Sequence, residues 1–194
     1  LDPIRNLFDG GPDGDGENDN TAMLFFLQRR VETVREAVAP DAGLSAVHGP
    51  GLVVVLSDAQ RDADGRFPRD ASPDDLVVHQ QDIQAVLNAL WSGGAEAIQM
   101  QDQRIVGTSA PRCVGNTLLL NGRTYSPPYT ITAIGDASDM AAALAAAPLV
   151  SLYKQYVVRF GLGYSVQERD DVEVVGLGEP VRMRYAQPAG PVGY

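Results

Sequence analysis

The sequence holds one cysteine, two histidines and a single lysine, Lys154, among 194 residues. A lone cysteine excludes an internal disulfide framework and any zinc site built from several thiolates. No run approaches the ~20 apolar residues that a membrane-spanning helix requires. The longest candidate, Met140 to Val150, is mostly alanine and contains Pro148. A signal-peptide pattern is missing too. Positive charge is scarce, with 15 Lys and Arg against 25 Asp and Glu, for a net charge of −10. That excludes a general nucleic-acid binder, which needs a basic face for phosphates, and adhesion to an anionic membrane surface. No G-x-S-x-G, H-E-x-x-H, P-loop or dinucleotide fingerprint occurs. Gly161-Leu162-Gly163 lacks a preceding strand and a third glycine, and reads as a helix C-cap. What is present is ordinary globular material, 44% hydrophobic and 21% charged. The length suits one domain with appendages, able to bury a core without disulfide or metal. The start at Leu1 rather than Met is read as the start of a fragment.

The chain divides by composition. Residues Leu1 to Asn20 carry six acidic side chains, one Arg, four Gly and two Pro, and read as a solvated linker. From Thr21 to Ala39 the pattern is helical. Leu24, Leu27, Val31, Val34 and Val38 follow the 3-4-3-4 rhythm of a heptad. So short a heptad segment has to pack on something, its own domain or a symmetry mate, the alternative being a dedicated partner-binding helix. His48-Gly49-Pro50-Gly51 reads as a sharp turn before a buried strand, Leu52 to Leu56. Residues Ser57 to Asp75, with six Asp and three Arg, are long for a connection and read as a disordered insertion or, alternatively, a functional flap. Ile83, Val86, Leu87, Leu90 and Trp91 form a core-facing helix stripe stopped by Gly93-Gly94, and Trp91 is expected to be largely buried.

Short strands are expected next. Ala97 to Met100 and Arg104 to Gly107 flank a polar turn at Gln101-Asp102-Gln103. Thr117 to Leu120 and Arg123 to Tyr125 flank Asn121-Gly122, a strong hairpin signal. After Pro127-Pro128 a strand resumes over Tyr129 to Ile134, and Asp136 caps an alanine-rich helix. A second amphipathic helix presents Leu149, Leu152, Tyr153, Tyr156, Val157 and Phe160 on its apolar side and ends at Gly161. Tyr164 to Gln167, Val172 to Val175 and Val181 to Tyr185 read as closing strands, and Gln187 to Tyr194 as a loose tail. This order is α+β, a ferredoxin-like α-β plait over residues 46–186 with an additional β-hairpin and an N-terminal helix.

Several strings together resemble one bacterial family. They are Leu76-Val77-Val78-His79-Gln80-Gln81-Asp82-Ile83-Gln84-Ala85-Val86-Leu87-Asn88-Ala89-Leu90-Trp91, Gly94-Ala95-Glu96-Ala97-Ile98, Arg112-Cys113-Val114-Gly115-Asn116-Thr117, Asn121-Gly122, Ser126-Pro127-Pro128-Tyr129 and Ile134-Gly135-Asp136. Over about Ala46 to Ala186 the chain resembles the domain of unknown function 881 family, the YlxW-like proteins. The resemblance implies a single N-terminal membrane helix, a coiled-coil-prone connector and an α-β plait outside, in high-GC Gram-positive bacteria, near cell-division or envelope genes. It brings no catalytic residues. The chain departs from the family in its short heptad segment, its acidic first twenty residues and Asp102, where the family often has Gly.

Candidate chemistry is sparse. His79 and Asp82 offer one metal pair, with His48 as a conceivable third ligand, but two imidazoles and one carboxylate are too few, and no metal or cofactor is expected. Cys113 follows Arg112, which favours a thiolate, yet its strand-like context points to a buried thiol acting as a small hydrophobe. Gln99, Gln101, Gln103, Arg104, Ser109, Arg112 and Asn116 concentrate polarity around the central strands. Of these Gln101, Arg104, Ser109, Arg112 and Asn116 form the candidate ligand or partner face; the alternative is the solvated side of a sheet that helices cover on one face only. The expectation is a non-enzymatic interaction or scaffolding module of the cell envelope. It would be anchored by a helix preceding Leu1, extracytoplasmic, with protein partners or self-association through the N-terminal helix and no nucleic acid. The alternative is a small-molecule or glycan sensor, or an undiscovered enzyme, using the polar face.

Overall fold

The computed structural model describes residues 16–178, 185–187 and 190, with side chains from residue 21 onward. Tertiary contacts divide the chain into two units, Leu1–Ala42 and Gly43–Tyr194.

In the first unit, α1 (Gly16–Val38) begins five residues before the expected start at Thr21, so that 16–20 belong to the helix and not to a linker. Residues 1–15 of that linker lie outside the described residues. Leu24, Leu27, Val31, Val34 and Val38 align along one side, as the heptad spacing requires, and each is 53–66% exposed.

The second unit is built on β1 (Val47–Ser57), α2 (Gln80–Ser92), β2 (Ala97–Met100), β3 (Gln103–Ile105), β4 (Arg112–Val114), β5 (Thr117–Leu120), β6 (Arg123–Tyr125), β7 (Tyr129–Ile134), α3 (Ala137–Ala146), α4 (Pro148–Phe160) and β8 (Gly163–Val174). The fold is α+β, with antiparallel sheets. Five strands run in the order β3-β2-β7-β1-β8, and β4-β5-β6 form a separate sheet. Strand alternation sends Leu52, Val54, Leu56, Ile98, Met100, Tyr129, Ile131 and Ala133 to one face. There they meet Ile83, Val86, Leu87 and Leu90 of α2, Met140 and Leu144 of α3, and Val150 and Tyr153 of α4 in a single core. Leu118 and Leu120 of the small sheet join it. The opposite face carries Thr130, Thr132, Val53, Val55 and Gln99, half-buried, with a minor cluster of Ala97, Ile134 and Val174 at one end.

Local chemistry sets most boundaries. Asp136 accepts bonds from the Ser138 and Asp139 amides and starts α3. Gly161 ends α4 in the left-handed region at φ 80°. Asn121 and Gly122, at φ 48° and 82°, have the two positive φ values of a type I′ hairpin.

Several expectations are corrected. His48-Gly49-Pro50-Gly51 is not a turn; it is the first half of β1, paired with β8 through an irregularity between Gly49 and Gly51. Gly51 is obligatory there, since a Cβ would lie 2.0 Å from the Ala133 carbonyl oxygen. Tyr164 to Val175 is not two strands, because β1 pairs with β8 along its full length and carries the polar middle with it. The strand expected at Arg104 to Gly107 begins instead at Gln103 and ends at Ile105, because Gln101 takes φ 55° and tightens the turn. Trp91 is 40% exposed: one residue past Leu90, it has rotated ~100° off the buried stripe. On α4 the inward residues are Val150, Tyr153 and Phe160, while Leu149, Leu152 and Tyr156 are exposed.

The segment from Ser57 to Asp75 is not a disordered insertion. The Ala59 amide donates to the Leu76 carbonyl, Asp62 Oδ1 accepts from the Asp64 and Arg66 amides, and Asp70 pairs with Arg159 of α4 at 2.9 Å. The closing strand expected at Val181 to Tyr185 and the tail from Gln187 lie almost wholly outside the described residues.

Candidate functional site

The five residues of the expected polar face do not converge on one hollow. Gln101 is consumed by the fold. Its Nε2 donates to the Pro128 carbonyl at 3.1 Å and its Oε1 accepts from the Thr130 amide at 3.2 Å, which fastens the β2–β3 turn to the start of β7. Arg104 is 7% exposed and donates from Nη1 to the Val175 carbonyl at 3.2 Å, and a Cβ placed on Gly43 would lie 3.6 Å from its guanidinium. Burial lowers the pKa of that guanidinium, and no carboxylate pairs with it among the described residues. Gln99 works beside it, its Oε1 accepting from the Val175 amide at 2.8 Å and its Nε2 donating to the Gln101 carbonyl at 2.6 Å. Gln99 and Arg104 therefore seat the stretch after β8 against the open side of the sheet. Ser109 accepts from the Val106 amide in a local turn. Only Arg112 and Asn116 are left exposed, on β4 and the turn after it, without side-chain hydrogen bonds among the described residues.

A second polar gathering surrounds the start of α2, and sequence spacing had shown only part of it. His79 is the N-cap residue, and its amide donates to Asp82 Oδ2 at 2.8 Å, half of a capping box. The ring of His79 has Nδ1 3.8 Å from Asp82 Oδ2 and Nε2 3.9 Å from Asp74 Oδ1. Burial holds the Asp82 carboxyl above its ordinary pKa, against the opposing pull of the His79 amide and ring. Cys113 is exposed, not buried as expected. It reaches α2 from the small sheet: its Sγ accepts from the Gln80 amide at 3.2 Å, and its own amide donates to Gln80 Oε1 at 3.2 Å. Nothing in the sequence signals that pairing across 33 positions. Burial also pushes the neighbouring Tyr129 hydroxyl up to about 12, with Asp58 and Cys113 adding to it.

His48 does not join His79. Its Nδ1 lies 3.0 Å from Asp171 of β8, both side chains well exposed. Among the described residues no group of three or more His, Cys, Asp or Glu side chains is placed to hold a metal ion. The small sheet is tied to the large one through Asp102, which pairs with Arg123 and accepts from the Tyr125 hydroxyl. That hydroxyl is the main reason the Asp102 carboxyl sits below its ordinary pKa. A shallow depression of about 460 Å³ between α2 and the α3–α4 junction is lined mainly by alanines, with Asn88, Ser92, Pro148 and Leu149. These arrangements fasten backbone and cap helices. None aligns a nucleophile with a base and an orienting group.

Comparison with known proteins agrees in one direction. Residues 35–187 match the family described as "Bacterial protein of unknown function (DUF881)". UPF0749 protein Rv1823 of Mycobacterium tuberculosis (strain ATCC 25618 / H37Rv) is 30% identical over 158 residues, covering 77% of this chain and 49% of the relative. UPF0749 protein Rv1825 of the same strain is 31% identical over 175 residues, covering 88% and 52%. UPF0749 protein YlxW of Bacillus subtilis (strain 168) is 32% identical over 94 residues, covering 48% and 38%. The chain thus spans about half the length of the mycobacterial relatives it matches. A solved structure, "Crystal structure of an uncharacterized conserved protein from Mycobacterium tuberculosis", superposes with a TM-score of 0.59 at 29% identity, covering 80% of this chain and 99% of that one.

Proposed function

We propose, from the premise that this chain belongs to the DUF881 family, that it is a non-enzymatic interaction module of the cell envelope, assembling through α1. The observation that carries the reading is the uncovered stripe of Leu24, Leu27, Val31, Val34 and Val38, more than half exposed along its whole length. Apolar residues in heptad order fit an identical helix, because each seam residue then meets its own kind in a partner's hole. A second copy is therefore the partner this helix suits. The strand order β8-β1-β7-β2, with β3 to β6 inserted between β2 and β7, is read as a ferredoxin-like plait carrying an extra hairpin. The protein is further read as anchored by one apolar helix preceding Leu1, with the described units outside the cytoplasm and partners among envelope or cell-division proteins.

The sensor or enzyme reading has less support. Gln101, Arg104 and Ser109 bond to the protein's own backbone, leaving Arg112 and Asn116 as the members of that face without a side-chain bond among the described residues. A ligand pocket needs convergent polar groups in a concave site.

The test is in-cell photocrosslinking of the full-length protein with a photoreactive residue at Val31 and, as a control, at Thr33. Capture of a second copy at Val31 and not at Thr33 is the expected result; equal capture at both, or none at either, removes α1 as the assembly surface. Reporter fusions after Tyr194 decide the orientation, an exported reporter being active and a cytoplasmic one silent if the proposed topology holds.

A further inference from the structure

β8 (Gly163–Val174) is an outermost strand of the five-stranded sheet and, at 12 residues, one of its two long members. Its inner side pairs with β1 from Ser57↔Gly163 to Val47↔Val174. Among the described residues no strand pairs with its outer side. Every second residue of an edge strand turns both its N–H and its C=O away from the sheet, so an uncovered edge is a row of ready hydrogen-bonding groups. Ser165 to Asp171 are exposed without interruption along it.

The charge on this edge is predominantly acidic. Glu168, Asp170, Asp171 and Glu173 are acidic; the single cation, Arg169, is held by Gln167 Oε1 at 2.6 Å. Asp171 faces His48, whereas Glu168, Asp170 and Glu173 make no ion pair among the described residues. Register places two of these free carboxylates on one side. Glu168 lies opposite Leu52, on the helix-covered side. The irregularity at Gly49/Gly51 resets the alternation, because Val172 and Val174 pack with Ala97 and Ile134 on the other side. Glu173 therefore returns to the side of Glu168.

Charged residues on an edge strand ordinarily guard against pairing with other chains. A guard of balanced sign repels nothing in particular, but one with an excess of acidic groups discriminates. An antiparallel second copy of β8 that aligns Glu168 with Glu173 would set carboxylate against carboxylate, which is unfavourable across strands. A basic strand is attracted instead, each opposite-charge cross-strand pair contributing to its hold. We infer that the outer edge of β8 is a strand-addition site for an extended basic segment of a partner protein, one with Arg or Lys at alternate positions on the helix-layer side, meeting Glu168 and Glu173. Main-chain hydrogen bonds hold the segment and the carboxylates select it. The inference rests on the interaction-module reading and gives it a second surface, so that losing this edge leaves self-association through α1 standing.

The experiment titrates the 194-residue chain into a fluorescein-labelled heptapeptide of alternating Val and Arg, read by anisotropy. Parallel titrations use the same peptide N-methylated at alternate backbone amides, in both frames, which keeps the charge and removes the donors of one edge. The unmethylated peptide is expected to saturate, with at least tenfold weaker binding in one methylation frame and at least tenfold weaker binding to the Glu168→Lys/Glu173→Lys protein. Amides of Ser165 to Arg169 are expected to gain hydrogen-exchange protection. Equal binding of both methylated peptides, meaning charge attraction without strand pairing, overturns the inference. So does undiminished binding by the charge-reversed protein, or no binding at all.

Discussion

Helices α1 and α2 carry the same kind of message and meet opposite fates. Each has apolar residues at three- and four-residue spacing. In α2 they vanish into the core, Ile83, Val86, Leu87 and Leu90 all being buried against the sheet. In α1 Leu24, Leu27, Val31, Val34 and Val38 stay more than half exposed. Periodicity therefore specifies a face and says nothing of what covers it. The difference lies in the neighbours. α2 is followed closely by β2, and packing onto the sheet is the local route to burial, whereas α1 sits in a unit with no strand among its described residues.

The largest effect that would break this comparison is in the core. Leu90→Ala is expected to cost ~2–5 kcal/mol, because a fully buried leucine leaves a cavity that the sheet cannot close. Leu27→Ala is expected to leave unfolding of the second unit unchanged and to weaken self-association at least tenfold. Chemical denaturation and sedimentation equilibrium read the two quantities separately. If Leu27→Ala destabilises the second unit as Leu90→Ala does, the contrast between the helices is gone. Trp91→Ala, by contrast, is expected to cost only about 1 kcal/mol, since much of its ring already faces water.

Polar residues divide in the same manner. Gln101→Ala strips the Thr130 amide of its acceptor and the Pro128 carbonyl of its donor. The expected loss is ~1–2 kcal/mol, chiefly the cost of leaving the part-buried Thr130 amide unpaired, because the exposed Pro128 carbonyl turns to water. Arg112→Ala and Asn116→Ala, on exposed and unbonded side chains, are expected to stay within ~0.5 kcal/mol of the parent. Comparable losses in all three variants, measured by urea midpoint at constant slope, would return the face to a cooperative polar network.

Legibility followed range. The Asn121-Gly122 hairpin, the Asp136 cap and the Gly161 stop were readable because each is decided within four or five residues. The strand over Leu52 to Leu56 was readable from its unbroken apolar run. Arg104 was not, because its partner is the Val175 carbonyl 71 positions away. The Cys113–Gln80 pairing is non-local in the same way. His48 to Gly51 misled for another reason: Gly-Pro-Gly is turn chemistry in isolation, yet pairing with β8, joined by β7 from Gly51 onward, holds it extended. The polar middle of β8 hid a strand because an edge strand need not alternate to be stable. Of the candidate site, the sequence shows which residues are polar and does not tell backbone fasteners from exposed groups.

The smallest effect expected concerns Asp82, where capping and burial oppose each other. Its side chain is 16% exposed, so the carboxylate loses solvent, and desolvation raises its pKa in the folded chain. The folded state then binds the Asp82 proton more tightly than the unfolded state does. By linkage, its contribution to stability is greatest below the ordinary carboxylate value and falls as pH rises through the raised one. Asp70, Asp75 and Asp102 are shifted the other way, chiefly by hydrogen bonds from Arg159, Ser72 and Tyr125. Their contributions are present above the ordinary value and disappear as pH falls through the lowered one. The net curve therefore mixes two slopes, and one substitution separates them. Asp82→Asn keeps an oxygen to accept the His79 amide but carries no charge to desolvate. Relative to the parent it is expected to gain stability as pH rises from 4 to 7, by less than about 1 kcal/mol, while Asp82→Ala follows the same slope displaced downward by about 1 kcal/mol for the lost cap. Urea titrations of both variants at several pH values check this. A parent-minus-Asn difference that is flat, or that slopes the other way, would mean that the His79 ring and amide stabilise the Asp82 carboxylate more than burial penalises it.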